Sequence, residues 1–169
     1  MIILGLDPGI ARTGFGVLNT AKAQSFISCG CLTTPPHQPT ADRLLTLGQN
    51  LNALLDKFKP DQAVIEKIFF GANSKTAILT AQARGVLLYI LRQRHISTRS
   101  LTPLQIKSQL TGYGQADKQQ VQTMVMHLLD LNTVPTPDDA ADALAAALCL
   151  ANSKPDLQKT AARVSLTRP

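Results

Sequence analysis

The order of hydrophobic patterns along the 169 residues predicts one α/β or α+β domain built on a mixed sheet. Three observations carry that expectation. The first third holds three short strand-like runs separated by brief polar turns, which suits an antiparallel meander. A long helical pattern, a short apolar run, a second helical pattern and a second short run then succeed one another. The remainder is helical, closing on a stretch that is nearly all Ala and Leu. The length fits a single domain, and 44% hydrophobic against 17% charged residues places the chain among globular, not disordered, sequences.

Taken in order, Ile2, Leu4 and Leu6 alternate with Ile3, Gly5 and Asp7 until Pro8-Gly9 breaks the pattern, so Asp7 ends the first strand. Strands over 14–19 and 26–32 follow, and Pro35, Pro36 and Pro39 stop them. Between 41 and 58, Leu44, Leu47, Leu51, Leu54, Leu55 and Phe58 fall on one helix face, with Thr40 as expected N-cap and Pro60 as stop. The run 63–68 reads as a buried strand carrying Glu66 near its end. A helix over 76–94 contains Gly85, which costs about 1 kcal/mol relative to Ala and is therefore assigned to a close packing contact. A strand over 96–101 leads into Thr102-Pro103, an N-cap followed by Pro at the first helical position, and a short helix to Leu110. After the loop 111–115, Val121, Met124, Val125, Leu128 and Leu129 mark an amphipathic helix. The last helix starts near Asp138 and runs to about Ala151, which sets a domain over 1–151 and a basic tail over 152–169.

The formal charge of +6 and a sequence pI near 9.5 favour a polyanionic partner such as nucleic acid. No basic, apolar leader is visible at the N-terminus, and the longest apolar stretch, 143–151, is far shorter than a membrane span. Three cysteines cannot all pair. Cys29 and Cys31 would share one strand face, and no second Cys/His pair stands at zinc-ligand spacing. The expected setting is a reduced cytoplasm, with no membrane.

The acidic residues are unevenly placed. Asp7 closes a strand, Glu66 ends a buried one, and Asp139 and Asp142 stand one turn apart on an Ala/Leu helix, where positions three apart share a face. Singly, each has a plain reading: turn chemistry for Asp7, a first-turn acid for Asp139, an N-cap for Asp138. Jointly, four acids on three elements suit hard divalent cations, which take oxygen ligands. Two such ions can generate a hydroxide nucleophile and stabilise the leaving oxygen of a phosphodiester.

Several segments carry a more specific likeness. Leu4-Gly5-Leu6-Asp7-Pro8-Gly9 with Thr13-Gly14-Phe15-Gly16-Val17, then Ala63-Val64-Ile65-Glu66-Lys67-Ile68-Phe69, then Gln82-Ala83-Arg84-Gly85-Val86 are three of them. Lys107, Thr111-Gly112-Tyr113-Gly114, Ala116-Asp117-Lys118-Gln119-Gln120-Val121 and Asp139-Ala140-Ala141-Asp142-Ala143-Leu144-Ala145 complete the set. Together they resemble the RuvC family of Holliday junction resolvases from Ile3 to about Leu148. The resemblance implies an RNase H-like fold whose sheet has three antiparallel strands and then two parallel ones, flanked by helices. It implies a homodimeric, magnesium-dependent endonuclease that resolves four-way junction DNA by paired nicks in strands of the same polarity, in homologous recombination and DNA repair. It assigns Asp7, Glu66, Asp139 and Asp142 as catalytic metal ligands for two Mg²⁺ per subunit, with Mn²⁺ able to substitute. Phe69 is then a stacking residue beside the junction, Lys107 and Lys118 lie near the scissile phosphate, Arg84 contacts DNA, and the RuvA and RuvB branch-migration proteins are partners.

Three other readings stand beside it. One is a different RNase H-like nuclease, YqgF-like or RNA-processing, because the acids report phosphodiester chemistry and not substrate shape. A second is a junction-binding module without catalysis, which the presence of all four acids disfavours. The third, an actin-like or sugar-kinase phosphate-binding domain, needs two lobes and a nucleotide cleft that this length does not provide. Arg92, Arg94 and Arg99 read as solvated surface charges.

Overall fold

A computed structural model describes residues 1–21, 25–68 and 74–153. Five strands and five helices follow one another in those residues: β1 (Ile2–Asp7), β2 (Arg12–Asn19), β3 (Ser25–Thr33), α1 (Thr40–Phe58), β4 (Gln62–Glu66), α2 (Ser74–Gln93), β5 (Ser97–Leu101), α3 (Pro103–Thr111), α4 (Lys118–Leu128) and α5 (Asp138–Asn152). Phe69, Phe70 and the tail from residue 154 onward lie outside the described residues.

The strands form one sheet in the order β3-β2-β1-β4-β5. β1 pairs antiparallel with β2, and β2 with β3. β1 pairs parallel with β4, and β4 with β5. This is the mixed sheet of the RNase H-like fold, with the three-plus-two division expected from the sequence.

Alternation along the central strands divides the core in two. Leu4, Leu6, Val17, Ala63 and Ile65 pack on one face with Leu47, Leu51, Leu87 and Leu91 of α1 and α2. Ile3, Leu18 and Val64 pack on the other with Leu144, Leu148 and the alanines of α5, beside Ile106 and Val125 of α3 and α4. A sheet covered on both faces explains why β4 reads as a continuous apolar run.

Several expectations are corrected in detail. Thr40 lies inside α1; Pro39 occupies the N-cap position and no side chain caps that end. The helix does end at Phe58 as expected, and Lys59, just ahead of Pro60, turns left-handed (φ 47°) with its N–H bonded to the Leu55 carbonyl at 2.8 Å. β4 ends at Glu66, two residues early, so that Glu66 is its terminal residue. Asp138 is the first residue of α5, not its cap, because Pro137 holds that position. Gly85 is exposed, and a Cβ there would meet nothing within 4 Å, so packing is not its reason. The tight contacts are made instead by glycines of β1 and β2.

Candidate active site

Asp7 faces Gly14 across the antiparallel ladder, as Gly5 faces Gly16. Paired residues share a sheet face, so three glycines form a flat floor beside the Asp7 side chain. α5 lies on that floor. A Cβ on Gly5 would overlap the Ala143 carbonyl oxygen, one on Gly14 the Asp139 carbonyl oxygen, and one on Gly16 would stand 2.7 Å from Leu144 Cγ. The alanines of α5 complete the close approach from the other side, and Asp139 and Asp142 are carried in with the helix.

The parallel register pairs Gly5 with Val64 and Leu6 with Ile65, so the next position, Glu66, stands on the rung beside Asp7 and on the same face. The turn after Asp7 is pinned by buried Thr13, whose hydroxyl donates to the Gly9 carbonyl at 2.7 Å and accepts from the Gly9 N–H at 3.3 Å. Two strand ends and one helix thus deliver Asp7, Glu66 and Asp142 to a cleft of about 250 Å³.

Two lysines line the same cleft. Lys107 lies on α3, beside Ile106, which is buried under the helix. A capping box starts that helix: Gln105 N–H donates to Thr102 Oγ1 at 3.1 Å, and Thr102 N–H donates to Gln105 Oε1 at 2.9 Å. Lys118 opens α4 behind a second capping box, made by Asp117 and Gln120 at 2.8 and 2.9 Å. Its ammonium lies 3.3 Å from Asp142 Oδ2 and 3.2 Å from Asp138 Oδ2.

The carboxyls are strained electrostatically. Burial, then the facing Asp142 and Asp139, push Asp7 up to about 7. Burial, then Asp7 and Asp142, push Glu66 up to about 8. Asp142 is also raised, by burial, although Lys118 opposes the shift. Lys118 is itself raised, because Asp142 and Asp138 outweigh the desolvation that lowers it. Exposed Asp138 is lowered by the same lysine.

Asp139 and Arg84 border this centre without lining the cleft. Asp139 is not part of the cleft lining. Its Oδ2 lies 3.3 Å from Arg12 Nε and accepts a weak bond from Cys31 Sγ at 3.9 Å. Arg84 donates through Nε to the Glu66 carbonyl at 3.2 Å and through a terminal nitrogen to Ser100 Oγ at 2.8 Å, which ties β4's end to β5. Phe69 falls outside the described residues. Arg12, Asp138 and Gln122 had no functional signal in the sequence; only Gln122, one turn beyond Lys118 on α4, had a spacing that could have pointed to it.

Among the described residues, no three His, Cys, Asp or Glu side chains stand close enough to enclose an ion as they lie. Lys118 is paired with Asp142 at 3.3 Å. The chemistry of the set nevertheless fits a hard cation: every donor is a carboxyl oxygen, and burial together with the neighbouring acids disfavours the charged forms of Asp7 and Glu66, a penalty that a bound cation would relieve.

The family model described as crossover junction endodeoxyribonuclease RuvC matches residues 3–150. A protein of that name from Chloroflexus aurantiacus is 46% identical over 160 residues, covering 94% of this chain and 98% of the relative. One from Caldicellulosiruptor saccharolyticus is 45% identical over 151 residues, covering 88% and 91%. Thermus thermophilus RuvC in complex with a Holliday junction substrate superposes with a TM-score of 0.82 at 30% identity, covering 88% of this chain and 92% of that one. The yeast mitochondrial resolvase Ydc2, at 19% identity and a TM-score of 0.64 over 88% and 78%, shares the fold. With its fold and nearly its whole length matched, the chain belongs to the RuvC family of crossover junction endodeoxyribonucleases.

Proposed function

We propose that this magnesium-dependent resolvase of four-way junctions cuts DNA in the cleft where Asp7, Glu66 and Asp142 meet Lys107 and Lys118. The observation that carries the reading is the convergence of three desolvated carboxyls with two cations in one cleft. Asp7, Glu66 and Asp142 would hold the metal, as two Mg²⁺ per subunit, with Mn²⁺ accepted in their place. When bound, the ions supply an activated water and a counter-charge for the leaving oxygen. Asp139 belongs to the same acidic set and adds negative charge beside Asp7.

The protein's own groups do the rest. Lys107 and Lys118 attract and orient the phosphate at the cleft mouth, and compensate charge as it develops there. Arg84 keeps the Glu66 carbonyl fixed; two of its nitrogens are committed to that task. Contact with DNA would fall to its remaining donors. Phe69, three residues beyond Glu66, stacks on a distorted base in this reading.

The substrate's near two-fold symmetry calls for two equivalent centres, so a homodimer makes the paired nicks in strands of like polarity. Branch migration by RuvA and RuvB would supply the junction. Three unpaired cysteines accord with a reducing cytoplasm.

Nicking of a synthetic four-way junction and of the linear duplex of the same sequence, with and without Mg²⁺, tests the reading. Metal-dependent cutting of the junction alone is expected. Equal cutting of both substrates points to a general nuclease instead. Lys107→Ala should lower the slope of log affinity against log salt by about one and slow cutting. An unchanged slope with unchanged cutting makes Lys107 a solvated surface charge.

A further inference from the structure

Lys118 is shared. Its ammonium lies 3.2 Å from Asp138 Oδ2 and 3.3 Å from Asp142 Oδ2, so one cation bridges the cleft acid and a rim acid that lines no part of the cleft. Asp138 is not loosely placed. Its other oxygen accepts a 3.2 Å bond from Gln122 Nε2, and Gln122 lies four residues after Lys118 on the same face of α4. Asp138 is the first residue of α5, where backbone N–H groups favour a negative charge. The lysine therefore already holds a second partner, fixed by α4 and α5 together, beside the one in the cleft.

A divalent cation on Asp142 weakens the hold of that carboxylate on the ammonium, because the two positive charges repel at that distance. Metal entry therefore shifts the lysine's pairing from Asp142 toward Asp138. We infer that Asp138 is a positioning residue: it retains Lys118 at the cleft rim when metal displaces the ammonium from Asp142, so that metal loading and lysine placement are one exchange. This rests on the metal reading given above. Without Asp138 the lysine keeps Asp142 as its ion-pair partner among the described residues; metal entry then weakens that pairing with no rim acid to take it up, and loading is harder.

Binding of Mn²⁺ to the DNA-free protein, followed by the loss of the free-ion electron paramagnetic resonance signal, tests this without reference to cutting. Asp138→Asn should weaken Mn²⁺ binding about two- to fivefold, the range that one exposed ion pair supports. Lys118→Met should strengthen it, by removing the competing cation. The deciding measurement is Asp138→Asn in the Lys118→Met background, where the exchange predicts no effect. Gln122→Ala should reproduce the Asp138→Asn effect more weakly, since it only loosens the seat. An Asp138→Asn effect of the same size with and without the lysine would mean through-space attraction of the carboxylate for metal, and would overturn the proposal. No effect of Asp138→Asn in either background would overturn it also. Mn²⁺ binding that survives Asp7→Asn unchanged would overturn the metal reading itself, and this inference with it.

Discussion

Asp7→Asn abolishes junction nicking, on the order of 10³-fold or more, keeps junction binding at least as strong, and raises the melting temperature of the metal-free protein. The three results share a cause. The carboxylate would be a metal ligand, so its loss removes the catalytic ion, whereas taking a negative charge out of the cleft cannot weaken attraction to phosphate. Stability rises because Asp7 is held near 7 and Glu66 near 8, by burial first and by the neighbouring acids second. A carboxyl raised in the folded state holds a proton that the unfolded chain releases. Between about pH 4 and pH 8 the folded protein therefore binds more protons, and its stability falls as pH rises through that window. Relief of that penalty at pH 8 is on the order of 3 kcal/mol, or about 5–10 °C for a chain of this size. Thermal melts from pH 4 to pH 8 without divalent ions should slope downward for the wild type and less for Asp7→Asn, and Mg²⁺ at pH 8 should raise the wild type. A mutant slope as steep as the wild type would assign the pH response to other groups, and cutting at wild-type rate would remove Asp7 from the site.

Gly14→Ala should cost the fold about 3 kcal/mol or more and remove cutting, whereas Gly85→Ala should be neutral or stabilise by up to about 1 kcal/mol. The two glycines form a matched pair. A methyl on Gly14 overlaps the Asp139 carbonyl oxygen and stands 3.0 Å from Asp139 Cβ, and one on Gly85 meets nothing within 4 Å. Backbone cannot rotate out of the way as a side chain can, so α5 has to lift off β1 and β2. Asp142 rides on that helix, and as a proposed metal ligand it would lose function on a displacement of about 1 Å. Melting curves and junction cutting measure both effects. A Gly14→Ala protein that melts with the wild type and cuts normally would show that the helix can shift without disturbing the acids.

The sheet was legible because its signals are local. Alternation from Ile2 to Asp7 told which residues point where, and the order of runs told that β4 and β5 come after helices. Thr102 and Pro103 marked the start of α3 correctly, because a capping box is written in adjacent residues. Thr40 misled for the same kind of reason: a good capping residue sits one position inside a helix that the proline run begins. Gly85 and Gly14 show the limit most plainly. Sequence marks both as glycine; only the tertiary contact of α5 tells which one is pressed against backbone. The site divides the same way. Three acids at element ends could be gathered from pattern and family likeness. The Arg12 contact of Asp139 and the shared seat of Lys118 are pairings between elements, and no periodicity encodes them.

The position of α5 in the chain bears on when the enzyme becomes dangerous. β1 and β4 pair in parallel across more than fifty intervening residues, yet the cleft still lacks Asp142 until the last described helix docks on their glycine floor. Synthesis proceeds from the N-terminus, and a domain folds as its segments emerge. A ribosome-bound chain that has not yet exposed residues 138–152 carries the Asp7 and Glu66 carboxyls but no third acid and no seat for Lys118. Contacts this distant in sequence form late and slowly. On the proposed metal reading, incomplete chains, whether stalled or cleaved before α5, would be unarmed toward DNA, a safeguard inherent in the order of the elements and requiring no inhibitor.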